Sequence, residues 1–91
     1  MFEWDRDNLR KIRAHRVKRE EAEQTLLNDP IPIYEQSVEG ELRFVYYGET
    51  SAGRLLAVIV TDRRDSLRVV TAYPLDASQK RDYLRKRVQG E

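Results

Sequence analysis

Arg43 and Arg68 each sit in the middle of a short run with apolar neighbours, Glu41-Leu-Arg-Phe-Val-Tyr-Tyr47 and Ser66-Leu-Arg-Val-Val-Thr-Ala-Tyr73. A guanidinium offers planar, bidentate donation to a phosphate that an ammonium cannot match. If the two runs are strands flanking a common neighbour, both cations point from one sheet face, and there they either grip a phosphate or pair with helix carboxylates. His15 is the sole histidine, the side chain type that titrates near neutrality, which makes it a candidate general acid or base. Its place on an otherwise apolar helix stripe also suits a hydrogen-bonded core residue. Tyr46, Tyr47, Tyr73 and Tyr83 could stack on bases or give a proton to a leaving oxygen; tyrosine in strands is also common for packing alone.

No phosphate-cradling glycine loop, zinc-ligand spacing, serine–histidine arrangement or calcium loop is present, which excludes most familiar enzyme classes. With no cysteine and one histidine, no disulfide, thiolate site or protein-built metal site is expected, and no cofactor. Ninety-one residues make one small domain, spanning residues 1–91. No apolar run is long enough to span a bilayer, and the acidic, aromatic start Met1-Phe-Glu-Trp-Asp5 is unlike a signal, so a cytoplasmic protein with no membrane partner is expected. The net charge is only +1, yet 36% of residues are charged, so the distribution matters more than the sum. Lys80, Arg81, Arg85, Lys86 and Arg87 make the end of the chain basic. That suits a polyanion or an acidic partner, and equally a solvated helix face.

The elements that must position these residues are organised around Arg54-Leu-Leu-Ala-Val-Ile-Val-Thr61, an apolar run with no alternation, as a central strand covered on both sides requires. Asp5 is a plausible N-cap for a helix over 6–16, with Trp4 folding back as an apolar anchor. A second helix over 18–28 turns Ala22, Leu26 and Leu27 inward and stops at Asn28-Asp29-Pro30. Ile31–Gln36 carries Pro32 and reads as an edge strand. A turn at 37–40 leads into the alternating strand 41–47, and the loop 48–53 into the central strand. A tight charged turn at 62–65 precedes the strand 66–73. Asp76 and Gln79 fit a capping box for a last helix through about Val88. The expected fold is α+β: two N-terminal helices, a four-stranded antiparallel meander covered on one face by helices, and a C-terminal helix.

Phe2-Glu-Trp-Asp5, Asn8, His15, Val17 and Glu20-Glu-Ala22 resemble the opening of the BrnT toxin family. Arg43-Phe-Val45, Gly48, Gly53-Arg-Leu-Leu56, Arg68-Val-Val-Thr-Ala72 and Tyr83 recur in that family's order. The resemblance implies a RelE-like fold and a metal-independent ribonuclease toxin of a type II toxin–antitoxin system. It also implies a ribbon-helix-helix antitoxin as partner, with DNA bound only through the antitoxin complex. Carried over by position, Arg43, Arg68 and Tyr83 are catalytic candidates, with His15 as a motif match that is either catalytic or structural. Two positions depart from the family pattern. Thr71-Ala72 is followed by Tyr73 where an arginine is usual, and Gln79 stands where a glutamate is frequent. On this reading Arg43 and Arg68 stabilise charge, Tyr73 or Tyr83 transfers a proton, and Lys80, Arg81 and Arg85 bind the RNA backbone. The departures leave open an inactive binding module that partners an antitoxin on promoter DNA.

Overall fold

The computed structural model describes residues 1–89. The apolar run becomes strand β4 (Leu55–Arg63), and Leu56, Ala57, Val58 and Val60 are all fully buried, because both faces are covered. Its neighbours are β3 (Glu41–Glu49) and β5 (Ser66–Pro74), with β2 (Ile31–Val38) at one edge and β1 (Phe2–Glu3) at the other, in the order β1-β5-β4-β3-β2. The sheet is therefore five-stranded and mixed, and the expected four-stranded antiparallel, RelE-like sheet is corrected. The extra strand β1 runs parallel to β5, with Phe2 opposite Leu67 and Glu3 opposite Arg68. Two residues are too few to show a strand period, and their partner lies more than sixty positions away, so nothing local announces them. The Met1 carbonyl, which accepts from Leu67 N at 2.7 Å, anchors the pairing.

Helices cover both faces rather than one. On the first face lie α1 (Arg6–Ala14) and α2 (Arg19–Leu27). Ile12, Val17 and Ala22 pack there with Leu56, Val58, Val60, Val69 and Ala72. Asp5 caps α1 by accepting from Asp7 N and Asn8 N, while the Asn8 side chain accepts from Asp5 N, a reciprocal capping box. The helix ends two residues earlier than its apolar spacing suggests. His15 is the C-cap and Arg16 takes a left-handed φ of 60°, which a side chain tolerates at a helix end when the following packing demands it. Here that packing is Val17, which turns into the core. Trp4 packs against the same cluster and donates its indole N–H to Glu23 Oε2 at 2.7 Å. Leu27, expected inward, is 73% exposed, because the inward stripe of α2 runs through Ala22, Thr25 and Leu26. The close seat of α2 depends on Gly48. A Cβ there would stand 3.0 Å from Thr25 Cγ2 and 3.2 Å from its carbonyl oxygen.

β2 is the expected edge strand, extended to Val38, with an irregular register between Pro32 and Tyr34. The turn into β3 shrinks to Glu39-Gly40, both at positive φ (51° and 83°), the two-residue hairpin geometry whose twist matches paired strands. Between β4 and β5 the register steps from Ile59↔Thr71 to Val60↔Val69. Val70 is thus an extra residue, a bulge. On the second face α3 (Ala77–Gln89) starts at the expected capping box, Asp76 Oδ1 accepting from Gln79 N at 2.8 Å and Gln79 Oε1 from Asp76 N at 2.9 Å. Leu75 and Tyr83 pack there with Val45, Tyr47 and Ala57.

Candidate active site

The strand registers decide which side chains meet. Phe44 stands opposite Val60, which places Arg43 beside Thr61, and Thr61 stands opposite Arg68, itself opposite Glu3. Arg43 and Arg68 therefore flank the central strand on one face, the face of α3, about 10 Å apart at two strand spacings. Each is already engaged. Arg43 Nε donates to Glu41 Oε1 at 2.9 Å, and Arg63 lies 3.6 Å from the other oxygen of Glu41. Arg68 Nη1 reaches Glu3 Oε2 at 3.4 Å and also donates to Asp5 Oδ2. These partners come from β1, from β3 and from the α1 cap, not from within the helices. The Arg68 guanidinium, helped by the Asn8 and Asp7 amides, holds the Asp5 carboxyl down at about 2. The carboxylates in turn raise the Arg68 pKa above its usual value, Asp5 first. Three cations face three carboxylates, so the row is electrically balanced.

Tyr73 lies on the same face opposite Ala57, four β4 positions from Thr61 and so about 13 Å along the strand. Five positions separate Arg68 from Tyr73, an odd number that would put them on opposite faces of a regular strand. The Val70 bulge restores a common face. β1 pairs only with Leu67 and Arg68, so the rest of this edge of β5 has no strand partner among the described residues. At that edge the exposed His15, at the end of α1, lays its ring against Tyr73, centroids 5.8 Å apart and planes tilted by 57°. The site floor beside them holds Tyr47, whose phenol is pushed up by burial and is hydrogen-bonded by the Gln79 side chain, with Tyr73 and Tyr34 close enough to act on it.

Tyr83 is 3% exposed, and its hydroxyl accepts from Arg87 Nη2 at 2.9 Å, with the Arg87 guanidinium 5.1 Å from the ring centre. It belongs to the core under α3. Tyr46 packs on the opposite face with the first core cluster. Lys80, Arg81 and Arg85 are exposed along α3, Arg85 paired with Asp82 at 3.2 Å. The fold thus unites Arg43 with Arg68 and His15 with Tyr73, and holds Tyr83 apart from both. Sequence reasoning missed Glu3, Asp5, Glu41 and Arg63 as partners of the arginines. Glu41 was legible, since it sits two positions from Arg43 on one strand face, whereas Glu3 arrives through a pairing that has no local signal.

A family model described as the BrnT ribonuclease toxin of type II toxin–antitoxin systems matches residues 4–79. The chain belongs to the BrnT family. Membership makes it a ribonuclease toxin of a type II toxin–antitoxin system and implies an antitoxin partner and an RNA target. The BrnT match includes His15, Arg43, Arg68 and Tyr73, and ends before Lys80, Arg81, Tyr83 and Arg85. No curated protein matches the chain. Among the described residues of this BrnT-family chain, no helix is long and apolar enough to cross a membrane.

Proposed function

We propose that this BrnT-family chain cleaves RNA without a metal, by attack of the 2′-hydroxyl on the adjacent phosphorus, and that a ribbon-helix-helix antitoxin neutralises it. The observation that carries the reading is the contact between His15 and Tyr73 at the open edge of β5. It brings the one side chain type that titrates near neutrality against a phenol, beside a basic helix. His15 as neutral imidazole takes the 2′-hydroxyl proton while the O2′–P bond forms. Tyr73 gives its proton to the departing 5′-oxygen as the P–O5′ bond breaks, leaving a 2′,3′-cyclic phosphate and a 5′-hydroxyl. Because about 13 Å separates the two rows, one phosphate cannot meet both. The reacting phosphate is assigned to the His15–Tyr73 edge, and Arg43 and Arg68 grip a neighbouring one. Arg16, next to His15, and Lys80, Arg81 and Arg85 on α3 supply positive charge to the backbone. Tyr83, buried beneath Arg87, serves as packing for α3.

The balanced arginine row favours a second reading. If Glu3, Asp5 and Glu41 keep their arginines, no phosphate displaces them, and Gln79, spent on the α3 cap and on Tyr47, titrates nothing. The protein is then a binding module that holds its antitoxin on promoter DNA. Purified chain incubated with mixed RNA and chelator separates the two. Cyclic-phosphate ends that vanish in His15→Ala establish cleavage. Intact RNA, with DNA affinity appearing only in the antitoxin complex, establishes the module.

A further inference from the structure

The segment 6–19 holds seven lysines and arginines and one acid, a net +6 in a chain of net +1. It forms α1 and the start of α2, on the face opposite the arginine row. Between the two helices lies a cleft of about 320 Å³ with Leu9, Ile12 and Val17 as floor and Arg13, Lys18, Arg19 and Glu20 as rim. Arg19 approaches Glu20 only at 3.9 Å. Arg13 and Lys18 are exposed and form no ion pair among the described residues. Arg16, equally unpaired, lies between the cleft and His15, whose ring touches Tyr73 across the β5 edge. Along the chain, cations therefore continue from His15 at the β5 edge through Arg16 to the cleft rim, where Glu20 is the one acid among the lining residues.

We infer that this cleft is a second RNA-backbone site, so that the substrate wraps from the His15–Tyr73 edge onto α1 and α2. The chemistry recognised is a run of phosphodiesters. An amphipathic protein segment fits less well, because two of the three floor residues, Ile12 and Val17, are 1% and 4% exposed, and the partly exposed Leu9 leaves little apolar area to bury. A phosphate backbone needs only the rim cations. The inference rests on RNA being the target but not on cleavage, and its test uses RNA that cannot be cut.

The probe is a labelled single-stranded 2′-O-methyl RNA of about twenty nucleotides, titrated into wild type and Arg13→Gln/Lys18→Gln over a range of salt. Removing two cations that each neutralise a phosphate should flatten the log–log salt slope by about 1.4 and weaken binding at low salt. A four-nucleotide RNA, too short to span from the edge to the cleft, should bind wild type more weakly than the long RNA and with a smaller salt slope. Circular dichroism of the variant checks that these exposed substitutions leave the fold intact. An unchanged slope for the long RNA overturns the inference. So does a variant that loses affinity for poly-glutamate but not for RNA, which assigns the cleft to an acidic protein. A flattened slope without cleavage in the parallel chelator assay refutes only the catalytic reading.

Discussion

Replacing Tyr73 by phenylalanine separates chemistry from packing at the proposed site. The ring stays, and with it the tilted contact to His15 at 5.8 Å, which as an aromatic pair contributes about 0.5–1.5 kcal/mol. What disappears is the hydroxyl alone, so unfolding should be unchanged. A positioned acid is worth on the order of 10²–10⁴ in rate, or about 2.7–5.4 kcal/mol at 1.36 kcal/mol per tenfold. Single-turnover cleavage of a labelled RNA, with enzyme in excess and chelator present, reads that step without interference from product release. Tyr73→Phe should fall by at least a hundredfold while RNA affinity holds. His15→Ala, which removes the proposed base, should fall by a similar factor. Cleavage by Tyr73→Phe within threefold of wild type would refute the assignment of the acid, and with it the placement of the reacting phosphate at the β5 edge.

The Asp5 carboxyl, held at about 2 against an ordinary 3.8, should stabilise the fold fully above pH 4 and progressively less as pH falls toward 2. Its folded pKa lies below the unfolded one, so the folded state resists protonation across that window. Asp5→Asn, which can still cap α1, should flatten the acid limb of urea unfolding followed by circular dichroism, and an unaltered limb would exclude this pair as its source. Gly48→Ala drives a methyl against Thr25 and Pro30 and should lower unfolding free energy by about 1–3 kcal/mol. The urea midpoint should drop at constant slope, and a midpoint unmoved within error would show that α2 yields freely.

Much of the candidate site could be read from residue types, but not its grouping. Alternation along the third strand showed that Arg43 shares a face with Tyr47, and with Glu41 two positions back. Arg68 and Tyr73 illustrate the limit. Regular alternation puts them on opposite faces, and only the extra residue Val70 brings them to one. His15 seemed part of an apolar helix stripe because the spacing continues past Ala14. The left-handed Arg16 ends the helix there and leaves the imidazole exposed at a strand edge. Tyr83 fits a helix facing solvent or core equally well until α3 is set on the sheet.

Local chemistry in the sequence determined the two N-terminal helices, the four long strands, the caps at Asp5 and at Asp76 with Gln79, the central place of β4, and the likeness to the BrnT family. Caps, turns and periodicity act within a few residues, so the chain states them directly. Tertiary structure alone decided the fifth strand, the split of helices between two faces, the carboxylates that neutralise Arg43 and Arg68, and the meeting of His15 with Tyr73. Each of these depends on register between segments far apart in sequence, where shifting or inserting one residue reverses every side chain beyond it. Burial of the whole sheet, rather than any local preference, selects that register.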